Sequence, residues 1–130
     1  MHVPPGFATV FPYLVVEDAE SYVRFLVQAL NGEELGRSNR PDGKIANSQV
    51  RLGSTNIMVS EAQEDYPAGR ASLYLYVEDA DRAMAQALRH GATLKSEVGN
   101  RFYDDRQGGI VDPSGNIWWI SQRLVDKPYY

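Results

Sequence analysis

The stretch "YLVVEDAE" at residues 13–20 returns as "YLYVEDAD" at residues 74–81, with six of its eight letters unchanged at an offset of 61. Self-similarity at such a period decides architecture before local propensity does. In each copy, residues alternating at period two lead into an Asp and then into a helical spacing. Leu14 and Val16, and likewise Leu73, Leu75 and Val77, fall on one face of a strand. Asp18 and Asp79 stand where a helix N-cap is wanted, since a carboxylate accepts from the first free amides and suits the positive end of the dipole. Behind them, Ala19, Tyr22, Val23, Leu26, Ala29 and Leu30, and then Ala80, Ala83, Met84, Ala87 and Leu88, form one apolar stripe per helix. Gly32 and Gly91 are the expected C-cap residues.

A second echo lies downstream. "STNIMVS" at 54–60 is matched by "SGNIWWI" at 114–120, an offset of sixty. Strands are expected at 45–52 and 56–60 around Gly-Ser-Thr, and at 109–111 and 116–122 around "DPSG", whose Pro113 and Gly115 favour a type I turn. The chain therefore reads as one α+β domain built from two copies of a single unit, at about 8–60 and 71–123. The charged, Pro- and Gly-bearing segment 61–70 is the expected connector, and "DKPYY" a loose tail.

Composition narrows the function classes. With 130 residues the chain is long enough to bury a core without staples. Thirteen basic against 17 acidic residues give −4 with no basic run, so nucleic acid is not an expected partner. There is no cysteine, which excludes disulfides, thiolate metal sites and cysteine nucleophiles together. No apolar run reaches a membrane span, and "MHVPPGF" has no signal-peptide pattern, so no membrane partner and a cytoplasmic location are expected.

The ordered set "PYLVVEDAE", "LYLYVEDADRAMAQALRHGA" and "IVDPSGNIWWI", with its repeat, resembles the glyoxalase, bleomycin-resistance protein and extradiol dioxygenase superfamily, the vicinal oxygen chelate fold. "PDGKIANSQVRLG" and "FYDDRQGGIVDPSGNIWWI" look like its PhnB-like branch. The resemblance covers nearly the whole chain. It implies tandem βαβββ modules, a mixed sheet curled around a concave cavity, and a homodimer.

Metal-dependent members of that superfamily draw His, Gln or Glu ligands from the first and last strands of each module. The corresponding positions here are Phe11, Ser72, Val59 and Trp119, none of which offers a donor that a divalent ion would select. The two histidines are His2, in the N-terminal segment, and His90, in the last turn of the second helix, where a cation complements the dipole. No metal site, no cofactor and no assembled catalytic group are expected. PhnB-like relatives often carry His and Glu two apart on the strand that holds Asn47 and Gln49 here. Two amides can recognise a ligand but cannot shuttle a proton near neutral pH.

If the aliphatic residues of the first strands face the helices, then Phe11, Tyr13, Ser72, Tyr74 and Tyr76 face the other way, joined by Trp119, Asn47 and Gln49. Aromatic walls with a few polar groups are typical of small-molecule sites, although rings on a sheet also serve simply as core. Tyr103 and Arg106, in "FYDDRQGG", belong at the rim, where Arg106 would hold an anion or Asp104 and Asp105 a cation; a surface ion pair is the plainer alternative. The Gly108–Gly109 pair is misplaced for a phosphate loop. Three functions follow: a metal-independent protein sequestering an aromatic or cationic small molecule, a metal-independent enzyme using Tyr74 or Tyr103 with Arg106, or a dimeric interaction module with a filled cavity.

Overall fold

Each copy of the octet forms a strand that runs into a helix, and each helix covers one face of a sheet made by its own half of the chain. In this computed structural model, which describes residues 2–130, the chain divides into two units, Met1–Arg70 and Ala71–Tyr130. The first contains β1 (Tyr13–Val16), α1 (Ala19–Leu30), β2 (Glu33–Asn39), β3 (Ile45–Leu52) and β4 (Thr55–Glu61). The second contains β5 (Ser72–Tyr76), α2 (Ala80–Arg89), β6 (Thr93–Asn100), β7 (Asp105–Val111) and β8 (Ile117–Arg123). The sheets run β1-β4-β3-β2 and β5-β8-β7-β6, with β1/β4 and β5/β8 parallel and the other pairs antiparallel. Both units are therefore βαβββ, and the fold is α+β with two mixed four-stranded sheets.

The stripe of α1 is buried in full, from Ala19 through Leu30, with Phe25 added to it. It packs against Leu14, Val16, Val50, Ile57 and Val59, all buried. A side chain such as Leu26 stabilises the unit by about 1.5–3 kcal/mol relative to exposure. The stripe of α2 is narrower than its spacing predicts: Ala80, Met84 and Ala87 are buried, while Leu88 is exposed.

Both helices begin at the expected Asp residues. The Asp18 carboxylate accepts from the Ser21 amide at 3.3 Å and that of Asp79 from the Arg82 amide at 3.1 Å. A second lock comes from the last strand of the same unit. The two oxygens of Glu61 accept from the amides of Asp18 and Ala19, both at 2.9 Å. Gln122, 61 residues on, accepts from the Ala80 amide at 3.0 Å. Glu61 is thus the buried end of β4 and not the first residue of a connector. At the other end of α1, the left-handed residue is Asn31 (φ 59°), not Gly32. Gly32 is required for a different reason: a Cβ there would sit 2.9 Å from both the Leu26 carbonyl oxygen and Val50 Cγ1. Gly91 does take a positive φ, 111°, behind α2.

The strands β2 and β6 had no sequence signal. "EELGRSN" and "TLKSEVGN" are largely exposed edge strands, so no alternation is imposed on them. The turn at "DPSG" forms with the Gly115 amide donating to the Asp112 carbonyl at 3.0 Å. The Asp112 side chain also accepts from the Ser114 and Asn116 amides and, at 2.8 Å, from Trp118 Nε1.

Strand pairing corrects one sequence correspondence. Leu14 pairs with Val59, and Leu75 with Ile120, so the ladders repeat at 61 and not at the sixty of the "NI" echo. The difference arises in the hairpins: two residues, Gly53 and Ser54, separate the pair Leu52–Thr55, whereas five, Asp112 to Asn116, separate Val111–Ile117. Val59 consequently faces α1, and the counterpart of Trp119 is Met58, which pairs with Tyr13 as Trp119 pairs with Tyr74.

Candidate functional site

In the second unit, β7 alternates sharply. Arg106, Gly108 and Ile110 point toward α2: Arg106 donates to both carboxylate oxygens of Asp81 at 2.8 and 3.0 Å, and a Cβ on Gly108 would lie 2.7 Å from Met84 Cε. Asp105, Gln107 and Gly109 point to the opposite face, where a Cβ on Gly109 would lie 2.8 Å from the Trp119 ring. Arg106 is therefore removed from the expected binding face. It is bonded to the first turn of α2, and Asn100 accepts from it as well at 3.0 Å.

The face opposite the helix is organised by Asp105, which is fully buried although Asp104 before it is exposed and Arg106 after it only half-buried. Its Oδ2 accepts from Tyr74 at 2.9 Å, Ser121 at 2.9 Å and Tyr129 at 2.6 Å; its Oδ1 accepts from Arg123 at 3.0 Å. Ser121 in turn accepts from Gln107 Nε2 at 3.2 Å, and Gln107 Oε1 accepts from the Tyr103 hydroxyl. Tyr129 has one proton and gives it to Asp105, so in the 2.5 Å contact between Tyr76 and Tyr129 the donor is Tyr76. Directly, or through Ser121, Gln107 and Tyr129, these O–H and N–H groups all lead to one carboxylate. Burial alone would push the Asp105 carboxyl up; the donors Tyr129, Arg123, Tyr74 and Ser121 outweigh it and hold the group below its ordinary 3.8. Tyr74 moves the other way, pushed up by burial and by donating to that anion.

Asp104 launches this strand from a left-handed backbone (φ 67°), with its amide donating to the Arg101 carbonyl and its own carbonyl accepting from the Leu124 amide. Aspartate tolerates that region and a β-branched residue does not. Asp104→Val is expected to cost about 1–2 kcal/mol and Asp104→Gly almost nothing, a difference that urea unfolding of the two variants would read.

The segment after β8 is not a loose tail. Arg123 Nη2 donates to the Lys127 carbonyl at 2.8 Å, and its guanidinium lies 4.0 Å from the centre of the Tyr129 ring. The chain is thereby folded back over the sheet. Around it opens a cleft of about 910 Å3, whose walls include Tyr74, Tyr76, Phe102, Tyr103, Arg123 and Tyr129. Beside it, Trp119 and Ser72 are joined by an Nε1–Oγ bond of 3.1 Å, and Trp119, Tyr74, Tyr103 and Gln107 border a smaller hollow of about 430 Å3.

Of the residues expected from sequence, Ser72, Tyr74, Tyr76, Tyr103 and Trp119 share this face of the second unit. Tyr13, Asn47 and Gln49 lie on the corresponding face of the first unit, where Gln49 Nε2 donates to Asn47 Oδ1 at 3.5 Å. Phe11 precedes β1 and packs against Phe7 with ring centres 4.6 Å apart. Sequence reasoning missed Gln107, Ser121, Arg123 and Tyr129, and it placed Asp105 at the rim as a group for a cation, whereas it is buried beneath the face as an acceptor. For Asp105 a signal existed: counting back from Ile110 at period two puts it on the face away from the helix, in register with Arg123.

The comparisons fit this architecture. The family model "Glyoxalase/Bleomycin resistance protein/Dioxygenase superfamily" matches residues 7–120. The chain belongs to this superfamily. It is 31% identical over 122 residues to an uncharacterised protein of Mycobacterium bovis, Mb0911c, covering 85% of this chain and 80% of that one. Among solved structures, TnmS3, an antibiotic binding protein from Streptomyces sp. CB03234, superposes with a TM-score of 0.69 at 21% identity over 95% of this chain and 98% of that one. A PhnB protein from Bacillus cereus, described as a putative 3-demethylubiquinone-9 3-methyltransferase, gives 0.65 at 13% identity over 88% and 99%. At these identities the two structures establish a shared fold alone. For the divalent ion used by metal-dependent members of the superfamily, the residues at the corresponding positions are Phe11, Met58, Ser72 and Trp119, which do not fit it. Among the described residues no group of three or more His, Cys, Asp or Glu side chains is placed to hold a metal ion. No helix is long and apolar enough to cross a membrane.

Proposed function

We propose that this chain is a metal-independent small-molecule binding protein that holds an aromatic compound by stacking and hydrogen bonds, acting as a homodimer. The observation that carries the reading is the aromatic cleft of the second unit, built over the ionised Asp105. Its volume of about 910 Å3 falls in the range of roughly 300–1,000 Å3 usual for small-molecule sites. That the similarly folded TnmS3 is an antibiotic binding protein supports the same use of the fold. A carboxylate supplied with four donors is a poor proton acceptor, and Tyr74, pushed up and already donating, is a poor acid. The group set therefore favours recognition over turnover. The alternative in which a tyrosine works with Arg106 loses its cation, which is committed to Asp81 on the other face.

Thermal-shift and calorimetric titration with planar aromatic compounds, neutral and cationic, tests the reading. A binder is expected, and Tyr76→Ala is expected to weaken it about tenfold, the loss of roughly one aromatic contact. A broad panel without a binder would overturn the proposal. Native mass spectrometry of the same preparation should show two chains per particle.

A further inference from the structure

In the aromatic cleft, one wall differs in kind from the others. Tyr129 does not belong to the sheet: it is brought there by the Lys127–Pro128 backbone, whose carbonyls accept from Arg123 at 2.8 and 3.5 Å. Its ring lies against the Arg123 guanidinium and edge-on to Tyr103, with centres 6.5 Å apart, and its hydroxyl makes the shortest of the bonds to Asp105. The residue remains 43% exposed while its hydroxyl is engaged with Tyr76 and Asp105. This is how a bound phenol would be held: aromatic face on a cation, proton to a carboxylate, oxygen accepting from a neighbouring hydroxyl.

We infer that Tyr129 is a built-in occupant of the binding cleft, and that the external ligand is a hydroxyaryl compound which displaces it and takes over its bond to Asp105. The inference rests on the binding function proposed above and adds its ligand class and its gate. Removing the Tyr129 side chain leaves Asp105 with Tyr74, Ser121 and Arg123, so the hub stays satisfied when the tail swings away. A tethered competitor acts at the millimolar effective concentration usual for short flexible links. Ligand affinity is reduced by the fraction of molecules whose cleft is closed.

The test uses the fluorescent phenol 7-hydroxy-4-methylcoumarin, its methyl ether 7-methoxy-4-methylcoumarin, and the full chain in mildly acidic buffer, where the phenol keeps its proton. Tyr129→Ala should bind the phenol at least about tenfold more tightly than the unaltered protein, the factor matching one hydrogen bond onto a charged group. Tyr129→Phe, which keeps the ring and loses the bond, should fall between them. The ether should gain clearly less than the phenol in both variants. Equal affinity of the unaltered protein and Tyr129→Ala for the phenol overturns the inference, as does an equal gain for phenol and ether. Absence of coumarin binding in every variant also overturns it. In that case the broader proposal still stands if another aromatic compound from the panel binds and Tyr129→Ala leaves its affinity unchanged; it falls only if the whole panel is silent.

Discussion

Asp105→Ala is expected to destabilise the second unit by about 3 kcal/mol, the low end of the cost of removing one partner from a buried ion pair, because Asp105 is fully buried while the Arg123 side chain stays 22% exposed. The change leaves the Arg123 guanidinium and the hydroxyls of Tyr74, Ser121 and Tyr129 without their acceptor, and it opens a void under the tail. Denaturant unfolding followed by tyrosine and tryptophan fluorescence measures the loss. A change below about 1 kcal/mol, the level of an exposed pair, would show that the four donors find other partners at no cost. The same group sets an acid limb. Its carboxyl is held below 3.8 in the folded chain, so the folded state binds fewer protons than the unfolded one near that pH. The stabilisation is complete above the unfolded value and drains away as pH falls from there through the depressed folded value. In Asp105→Asn this part of the acid limb should be missing while the rest of the pH profile persists.

Glu61→Ala should produce the second largest loss. Two amides at the start of α1 lose their acceptor; the buried Ala19 amide costs about 1–3 kcal/mol as an orphan, and the part-buried Asp18 amide adds less. Glu61→Gln keeps one acceptor oxygen and should recover part of the stability. Gln122→Ala, the counterpart that serves only the Ala80 amide, should cost less than Glu61→Ala. Hydrogen exchange would localise both effects: the first-turn amides of α1 should lose protection in one variant and those of α2 in the other. Uniform loss across either unit would instead show that the lock is no more than a packing contact.

Much of the fold was legible because the strongest local signals were each present twice. Strand-to-helix junctions, N-caps at Asp18 and Asp79, and the buried stripe of α1 all follow from period and chemistry, which are local properties of the chain. The edge strands β2 and β6 were not legible, because an edge exposed on both sides places no demand on its side chains. The aromatic residues of β5 and the division of Trp118 from Trp119 were readable from alternation. The role of Asp105 was hidden by its surroundings: within "YDDR" it looks like one of several surface charges, and only the pairing of β7 with β8 reveals Arg123 opposite and Ser121 beneath. Arg106 misled for the same reason, since one step along a strand exchanges a cleft for a helix. Tyr129 could not be anticipated at all. Its position depends on a backbone reversal fixed by an arginine in the preceding strand.

The unequal bends, two residues in one hairpin and five in the other, bear on how the halves could be recombined. A chimera spliced at the matching letters Asn-Ile would rotate every transplanted side chain through the sheet, sending Val59 outward and Met58 into the helix. Splicing by ladder partners, Leu14 with Val59 and Leu75 with Ile120, preserves both interiors. The two halves are thus two texts whose spelling and whose geometry fall out of step by one position, and it is the geometry that an exchange of parts must obey.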